Sequence, residues 1–171
     1  MSMPQTKRET LLRAARNFVT AAAKVHGVTR IALIGSLTTV KLNPKDVDVL
    51  VSVTPDADFE SLASLGRKLK GRAQNSNLGA DIFLASSDGV YLGRTCSYRE
   101  CHPRVRCSGT HCGSKSWVCD DLHVVTLSAQ LLVEPPLELW PRHVARIALP
   151  EDTQRLLSES HDFRAAAELG C

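Results

Sequence analysis

Two stretches of the chain have apolar residues at the three- and four-residue spacing of an amphipathic helix. The first runs from Gln5 to about Val25 and ends near Gly27, with basic and polar residues on its other face. The second is ADFESLASLGRKLKGR, in which Phe59 and three leucines form one stripe. Because a helix repeats every 3.6 residues, this spacing puts the apolar side chains on one face. Both segments are therefore predicted to be helices that pack on a core.

Three short apolar runs predict β-strands, namely TRIALIG, DVDVLVSV and GADIFLAS. Apolar, partly β-branched runs of this length are typical of buried strands when glycine or polar residues bound them. The order is then helix, strand, loop, strand, helix, strand. This order predicts an α/β (α+β) fold in which helices flank a mixed β-sheet.

The C-terminal part of the chain is predicted to complete the same sheet and helix layers. HVVTLSAQLLV has strand-like apolar content, and a Pro-Pro pair follows it. From Pro150 onward the spacing of leucines predicts a helix, with acidic residues in its first turn. We therefore divide the chain into a core (1–93), a Cys/His-rich excursion (94–123) and a C-terminal strand and helix (124–171). A length of 171 residues suits one such domain.

Composition and charge limit where in the cell the protein is expected and which classes of partner it is expected to bind. The formal charge of +3 is too small to indicate a nucleic-acid or membrane partner by itself. No apolar stretch approaches the roughly 20 residues that span a bilayer. The first residues, MSMPQTKRET, lack the hydrophobic segment of a signal peptide. We therefore expect a cytoplasmic protein with no membrane partner and with reduced thiols. The oligomeric state stays open.

Two carboxylates, Asp46 and Asp48, stand at the start of the second predicted strand. Residues two apart in a strand share a face, and neighbouring carboxylates repel unless a proton or a cation intervenes. Mg²⁺ prefers carboxylate oxygens and leaves coordination positions for phosphate oxygens. Asp81, in the third strand, reaches the same place if the two strands are neighbours. The alternative is that all three are ordinary loop and strand-end residues.

Gly35 and Ser36 end the first predicted strand. A missing side chain lets a phosphate approach the backbone closely, and a helical turn that followed would offer free N–H groups to an anion. Lys45 precedes the first aspartate and is interpreted either as a phosphate contact or as a solvated side chain. A Gly-Ser pair alone is a weak signal, because such pairs usually form turns.

Together, a strand ending in Gly-Ser, a short loop, Asp-x-Asp on a second strand and an aspartate on a third resemble the nucleotidyltransferase superfamily, of the polymerase-β-like minimal type. The match covers roughly residues 28–85. The resemblance implies that Asp46, Asp48 and Asp81 are catalytic and hold two Mg²⁺ ions, and that the Gly-Ser pair contacts the triphosphate. It also implies transfer of a nucleoside monophosphate from a nucleoside triphosphate to an acceptor hydroxyl on RNA, protein or a small molecule, with release of pyrophosphate.

The chain departs from the family's pattern in two places. The loop LTTVKL has no second glycine, and Lys45 stands where a small residue is usual. The missing glycine favours a second hypothesis, a catalytically silent nucleotidyltransferase-like module that binds nucleotide or nucleic acid. The three aspartates favour an active enzyme. A third hypothesis is a zinc-stabilised interaction protein in which the aspartates are incidental.

The excursion is rich in cysteine and histidine. Five of the six cysteines lie between Cys96 and Cys119. Structural zinc takes four thiolate or imidazole ligands, and disulfides are rare in the cytoplasm. We therefore predict a structural Zn²⁺ ion, with ordinary reduced cysteines or disulfides as the alternatives. The preferred ligands are Cys96, Cys101, Cys107 and Cys112, with His111 as the first substitute and His102, Cys119 and His123 as others.

The same excursion is basic, with Arg94, Arg99, Arg104 and Arg106 against a single Glu100. A basic loop beside a nucleotidyl-transfer site could guide a polyanionic acceptor such as RNA. The alternative is that these arginines only keep a small loop soluble.

Overall fold

A computed structural model describes residues 6–96, 117–119 and 125–158, which form seven strands and four α-helices. The helices are α1 (Lys7–Ala22), α2 (Phe59–Gln74), α3 (Ala129–Val133) and α4 (Glu151–Ser158), and a short 3-10 helix covers Gly35–Thr38. The strands are β1 (Val28–Ile34), β2 (Asp46–Val53), β3 (Gly79–Ser86), β4 (Tyr91–Thr95), β5 (Val118–Cys119), β6 (Leu137–Trp140) and β7 (Val144–Ala145).

The strands form one mixed sheet in the order β5-β4-β3-β2-β1-β6-β7. β2 and β3 are parallel, and α2 is the crossover that parallel neighbours require. The other neighbours are antiparallel. β1, β2 and β3 are therefore the central strands. β6, from the C-terminal part of the chain, extends the sheet on the β1 side.

Apolar residues on both faces of the central strands form two hydrophobic clusters. The alternate valines of β2 lie in the larger cluster together with residues of α1, α2 and α4. On the opposite face Leu50 and Phe83 pack with Leu132 of α3. Because side chains alternate along a strand, the β2 residues between the valines point to this second face. Asp46 and Asp48 therefore lie on the face that α3 covers only in part.

The predicted fold class is confirmed, and β2 and β3 have the bounds of DVDVLVSV and GADIFLAS. The strand-like interpretation of HVVTLSAQLLV is wrong for Ala129–Val133, which is helix α3. The Ser128 side chain accepts a hydrogen bond from the Leu131 N–H at 3.1 Å and so caps the helix. β6 supplies the additional strand after the two prolines instead. Within the described ranges, no helix is long and apolar enough to cross a membrane.

Candidate functional site

The three predicted aspartates meet at one edge of the sheet, where β1 ends and β2 and β3 begin. Asp48 is the register partner of Ile34 on β1 and of Asp81 on β3. Asp46 is the partner of Gly79 on the parallel strand. Register partners on neighbouring strands point to the same face, and so do residues two apart on one strand. The sheet therefore holds the three carboxylates on one face.

Two glycines make room for two of these carboxylates. A Cβ atom built on Gly35 would overlap Oδ2 of Asp48, and one built on Gly79 would overlap Oδ1 of Asp46. Gly35 also has φ +72°, a backbone conformation that residues with a side chain rarely adopt. Gly35 is therefore required by the turn and by the close approach of the Asp48 carboxylate.

Replacing Gly35 with alanine should lower the free energy of unfolding by about 1–3 kcal/mol, because the new methyl group meets both a positive φ and the Asp48 carboxylate. The matched control is Gly71→Ala, since Gly71 lies inside α2 and a methyl group added there would meet nothing within 4 Å. That change should raise stability by about 0.5–1 kcal/mol. Urea denaturation measures the change in the free energy of unfolding of each variant relative to the wild type. Equal changes of the same sign would contradict this account.

The carboxylates interact electrostatically. The pKa of Asp48 is raised to about 6, mostly because the side chain is partly buried, and further because Asp81 and then Asp46 are negatively charged. Lys41 acts in the opposite direction. Partial burial and negative neighbours both favour the binding of a proton or a cation by a carboxylate. The position of Asp48 is thus electrostatically prepared for a cation.

Asp81 already has a cationic neighbour. Nη1 of Arg94, on β4, donates to Oδ1 of Asp81 at 3.0 Å. As the side chains stand, no three acidic, histidine or cysteine side chains among the described residues are placed to hold one metal ion. The donor set suits Mg²⁺, since all three groups are carboxylates on adjacent positions of one face. Joint ligation therefore needs the Asp81 side chain to turn from Arg94 towards Asp48.

The loop between β1 and β2 contains the other predicted binding residues. The Ser36 carbonyl accepts from the Thr39 hydroxyl at 2.9 Å, and the Ser36 side chain is partly exposed. Lys45 is exposed, and its carbonyl accepts from the Gly79 N–H at 2.8 Å, which joins the loop to the start of β3. The structure thus brings Ser36 and Lys45 to the same edge as the aspartates.

Sequence reasoning missed the residue that anchors this loop, Arg8 of α1. Its guanidinium donates to the carbonyl oxygens of Leu37, Thr39 and Lys41 at 3.0–3.2 Å. It also forms a two-point ion pair with Asp152 of α4, at 2.7 and 3.1 Å. Arg8 is buried, although arginine is rarely buried unless it is paired. The signal in the sequence is its spacing, because Arg8 lies on the apolar stripe of α1, three residues before Leu11.

Of the preferred zinc ligands, Cys96 alone lies in the described part of the chain. It is buried, and its N–H donates to the Trp117 carbonyl at 2.7 Å beside the β4–β5 pair. Cys119, a substitute ligand, is partly exposed on β5 opposite Arg94. The two ends of the excursion are therefore adjacent in the sheet. The remaining candidates lie outside the described residues, and so do three of the four arginines: Cys101, His102, Cys107, His111, Cys112, His123, Arg99, Arg104 and Arg106.

Comparison with known proteins yields one family. A family model matches residues 2–104, and it is that of DUF6932, described as a family of unknown function. The matched range contains α1, α2 and β1 to β4, so it includes the three aspartates, the Gly-Ser pair and Arg94. No curated protein and no solved structure matches this chain.

Proposed function

We propose that this chain, which belongs to the DUF6932 family of unknown function, is a Mg²⁺-dependent nucleotidyltransferase. It would move a nucleoside monophosphate from a nucleoside triphosphate to an acceptor hydroxyl and release pyrophosphate. The observation that supports this function best is the in-register placement of Asp46, Asp48 and Asp81 on one face of the sheet. The resemblance of the strand, Gly-Ser and Asp-x-Asp order to the nucleotidyltransferase superfamily adds to it.

The carboxylates would hold two Mg²⁺ ions, which when bound neutralise the phosphate oxygens and lower the pKa of the attacking hydroxyl. Asp46 and Asp48 would act as ligands, and Asp81 as a ligand or as the acceptor of the hydroxyl proton. In the reaction the acceptor oxygen bonds to the α-phosphorus, and the bond from that phosphorus to the pyrophosphate oxygen breaks. The exposed turn at Gly35 and Ser36 would contact the triphosphate, with Lys45 as a further phosphate contact.

Arg94 would have two positions in this scheme. With no cation bound, it neutralises Asp81, the carboxylate that lies directly opposite Asp48. When Asp81 turns to a cation, Arg94 would lose this contact next to the place where the triphosphate would lie. A guanidinium binds phosphate oxygens well because of its planar fork of donors.

A thermal-shift series tests the proposal. The melting temperature is measured with each nucleoside triphosphate, with and without Mg²⁺, for the wild type and for Asp48→Asn. A triphosphate at about 100 times its dissociation constant stabilises the fold by roughly 2.7 kcal/mol. We expect a Mg²⁺-dependent shift for at least one triphosphate and none in the variant. The absence of any shift would overturn the proposal and favour a zinc-stabilised interaction protein. The triphosphate that shifts the wild type then serves as donor in acceptor screens.

A catalytically silent module that binds nucleotide is the second candidate, and the Asp81–Arg94 ion pair favours it. A silent site has no need for Asp81 to leave Arg94. It would give a triphosphate shift that persists without Mg²⁺ and in Asp48→Asn, and no pyrophosphate release. The same series therefore distinguishes the two candidates.

We also propose structural zinc in the Cys/His-rich excursion, supported by the pairing of β4 with β5, which brings the segments that carry Cys96 and Cys119 side by side. Purified protein should contain about one equivalent of zinc, because a structural site binds a single ion through four soft ligands. Cys96→Ser should lose it, whereas Cys171→Ser, which removes the terminal cysteine, should not. Metal analysis measures this, and less than about half an equivalent in the wild type would contradict it.

A further inference from the structure

Helices α1 and α2 form a surface groove on the side of the sheet opposite the aspartates. One part, about 570 Å³, is lined by Arg13, Arg16, Asn17, Thr20 and Ala21 of α1 and by Lys24, just beyond the end of that helix. The adjoining part, about 310 Å³, lies between the helices and is lined by Lys68 and Arg72 of α2 among others. Asn17 and Ala21 line both parts, so the two parts adjoin along this side of α1.

The described side chains that line this groove carry charge of one sign. Four exposed cations, Arg13, Lys24, Lys68 and Arg72, line it, and none of them takes part in an ion pair within the described structure. No acidic side chain belongs to the described lining. Arg13 lies nine residues, about 13 Å along the axis, before the end of α1, and Lys24 lies two residues beyond that end. An extended row of cations in a concavity fits a chain of phosphates better than a single small anion.

One end of the groove opens at the edge of the sheet that carries the aspartates. α1 begins there, since Arg8 contacts the loop after Gly35, and Arg13 follows about one and a half turns later. α2 ends there, since Gly79, just beyond it, donates to the Lys45 carbonyl beside Asp46. Arg72 lies in the last turn of α2. A strand bound along the groove would therefore lead to the carboxylate edge.

We propose that the α1–α2 groove binds the sugar-phosphate backbone of single-stranded RNA. Its cations contact phosphates, and Asn17 and Thr20 between them offer uncharged polar groups to 2′-hydroxyls, the feature that separates RNA from DNA. Phe18, the aromatic residue of the described lining, is buried, so we propose contacts to the backbone and not base stacking. The apolar lining residues Phe18 and Leu69 are buried as well, so they offer nothing for insertion into a membrane. The proposal does not depend on the aspartates holding metal.

The test is fluorescence anisotropy with a labelled single-stranded RNA of about 16 nucleotides, using full-length protein between about 50 and about 200 mM salt. The groove variant replaces Arg13, Lys24, Lys68 and Arg72 with glutamine, because all four positions are exposed and glutamine is a good helix former. For single strands, each phosphate contact adds about 0.7 to the slope of the logarithm of the binding constant against the logarithm of the salt concentration. Without its four cations, this variant should show a slope that is smaller by about 3. Its affinity at the lower salt should fall at least about tenfold. Circular dichroism and the melting temperature confirm that the variant is folded.

Matched single variants provide the control. Arg72→Gln and Arg142→Gln each remove one exposed arginine without an ion pair in the described structure. The first should weaken RNA binding and the second should not. Asp48→Asn should bind RNA like the wild type, so failure of the metal-dependent reaction leaves this result intact. An equal loss of RNA affinity in Arg72→Gln and Arg142→Gln, or the absence of RNA binding by the wild type, would overturn the proposal that the groove binds RNA. Equal affinity for DNA of the same sequence would overturn the assignment to RNA, as would binding only to phosphatidylserine vesicles.

Discussion

Replacing Asp48 with asparagine should stabilise the folded protein by about 1–2 kcal/mol at about pH 8 and have little effect at about pH 4. The pKa of Asp48 is raised to about 6 in the folded protein, first by burial and then by Asp81 and Asp46. In the unfolded chain an aspartate titrates near 3.9. Between these values the unfolded state ionises while the folded state keeps its proton, so the charge destabilises the fold increasingly as the pH rises. Above about pH 6 the cost is constant.

The magnitude follows from the pKa. Each pK unit corresponds to about 1.4 kcal/mol, and part of that is lost because the side chain is only partly buried and remains screened by solvent. Urea denaturation at both pH values measures the gain. Asp56→Asn is the control, because Asp56 is exposed and its pKa is lowered, first by the hydrogen bond from the Thr54 hydroxyl. That variant should gain no stability at about pH 8. An equal gain for Asp48→Asn at both pH values would contradict the electrostatic account.

Under the proposed function, Asp48→Asn should also lower Mg²⁺-dependent triphosphate binding or nucleotidyl transfer at least about 100-fold. Loss of a group that merely orients a metal ligand already costs about 10- to 100-fold. A variant that is more stable and less active indicates a residue kept for function at the expense of the fold. If Asp48→Asn were instead neutral for both stability and nucleotide binding, Asp48 would be an ordinary strand-end residue.

Local patterns in the sequence were sufficient for the central elements of this fold. Asp46 and Asp48 could be placed on one face because the two-residue repeat of a strand is a property of neighbouring residues. That Asp81 stands opposite Asp48 could be stated only as a condition, since it depends on which strands pair and in which register. The contact of Arg94 with Asp81 depends in the same way on the pairing of β4 with β3. Pairing joins residues that are distant in sequence, and a single sequence gives little information about it.

The helix α3 shows a different reason for error. LSAQLLV has the apolar content of a strand, but Ser128 caps a short helix whose Leu132 packs on Phe83 of the sheet. A short apolar run is ambiguous between the two structures, and here a capping hydrogen bond and tertiary packing select the helix. The contacts of Arg8 also depend on the tertiary fold. Its place on the apolar stripe of α1 could be read from the sequence, but its partners on α4 and in the loop after Gly35 could not.

Replacing Arg8 with alanine should lower the free energy of unfolding by about 3–5 kcal/mol, the cost typical of removing one partner of a buried ion pair. With its five N–H groups the guanidinium contacts six acceptor oxygens: three backbone carbonyls, both oxygens of the Asp152 carboxylate and the Thr153 hydroxyl. Alanine would leave all of these acceptors without this donor. The free energy of unfolding of Arg8→Lys should lie between those of the wild type and Arg8→Ala, because an ammonium group keeps the charge but cannot reproduce the planar fork of donors.

The penalty should depend on pH. The pKa of Asp152 is lowered, first by the hydrogen bond from Arg8. A carboxylate whose pKa is lowered in the folded state contributes stability above the pKa of the unfolded chain, and that contribution is lost as the pH falls through the folded value. The difference between wild type and Arg8→Ala should therefore shrink below about pH 4. Arg155→Ala is the control, because its ion pair with Glu9 is more exposed and should be worth less than about 1 kcal/mol.

Arg8→Ala should also loosen the loop that follows the Gly-Ser pair, because Arg8 holds the carbonyls of Leu37, Thr39 and Lys41. Lys41 and Lys45 are exposed trypsin sites in that loop. Under conditions where both variants remain folded, trypsin should cleave after these lysines faster in Arg8→Ala than in Arg155→Ala. Triphosphate binding should weaken with it, since the turn at Gly35 and Ser36 would lose its support while the three aspartates stay on their strands. Faster cleavage without any change in triphosphate binding would show that the loop does not contribute to the proposed nucleotide site.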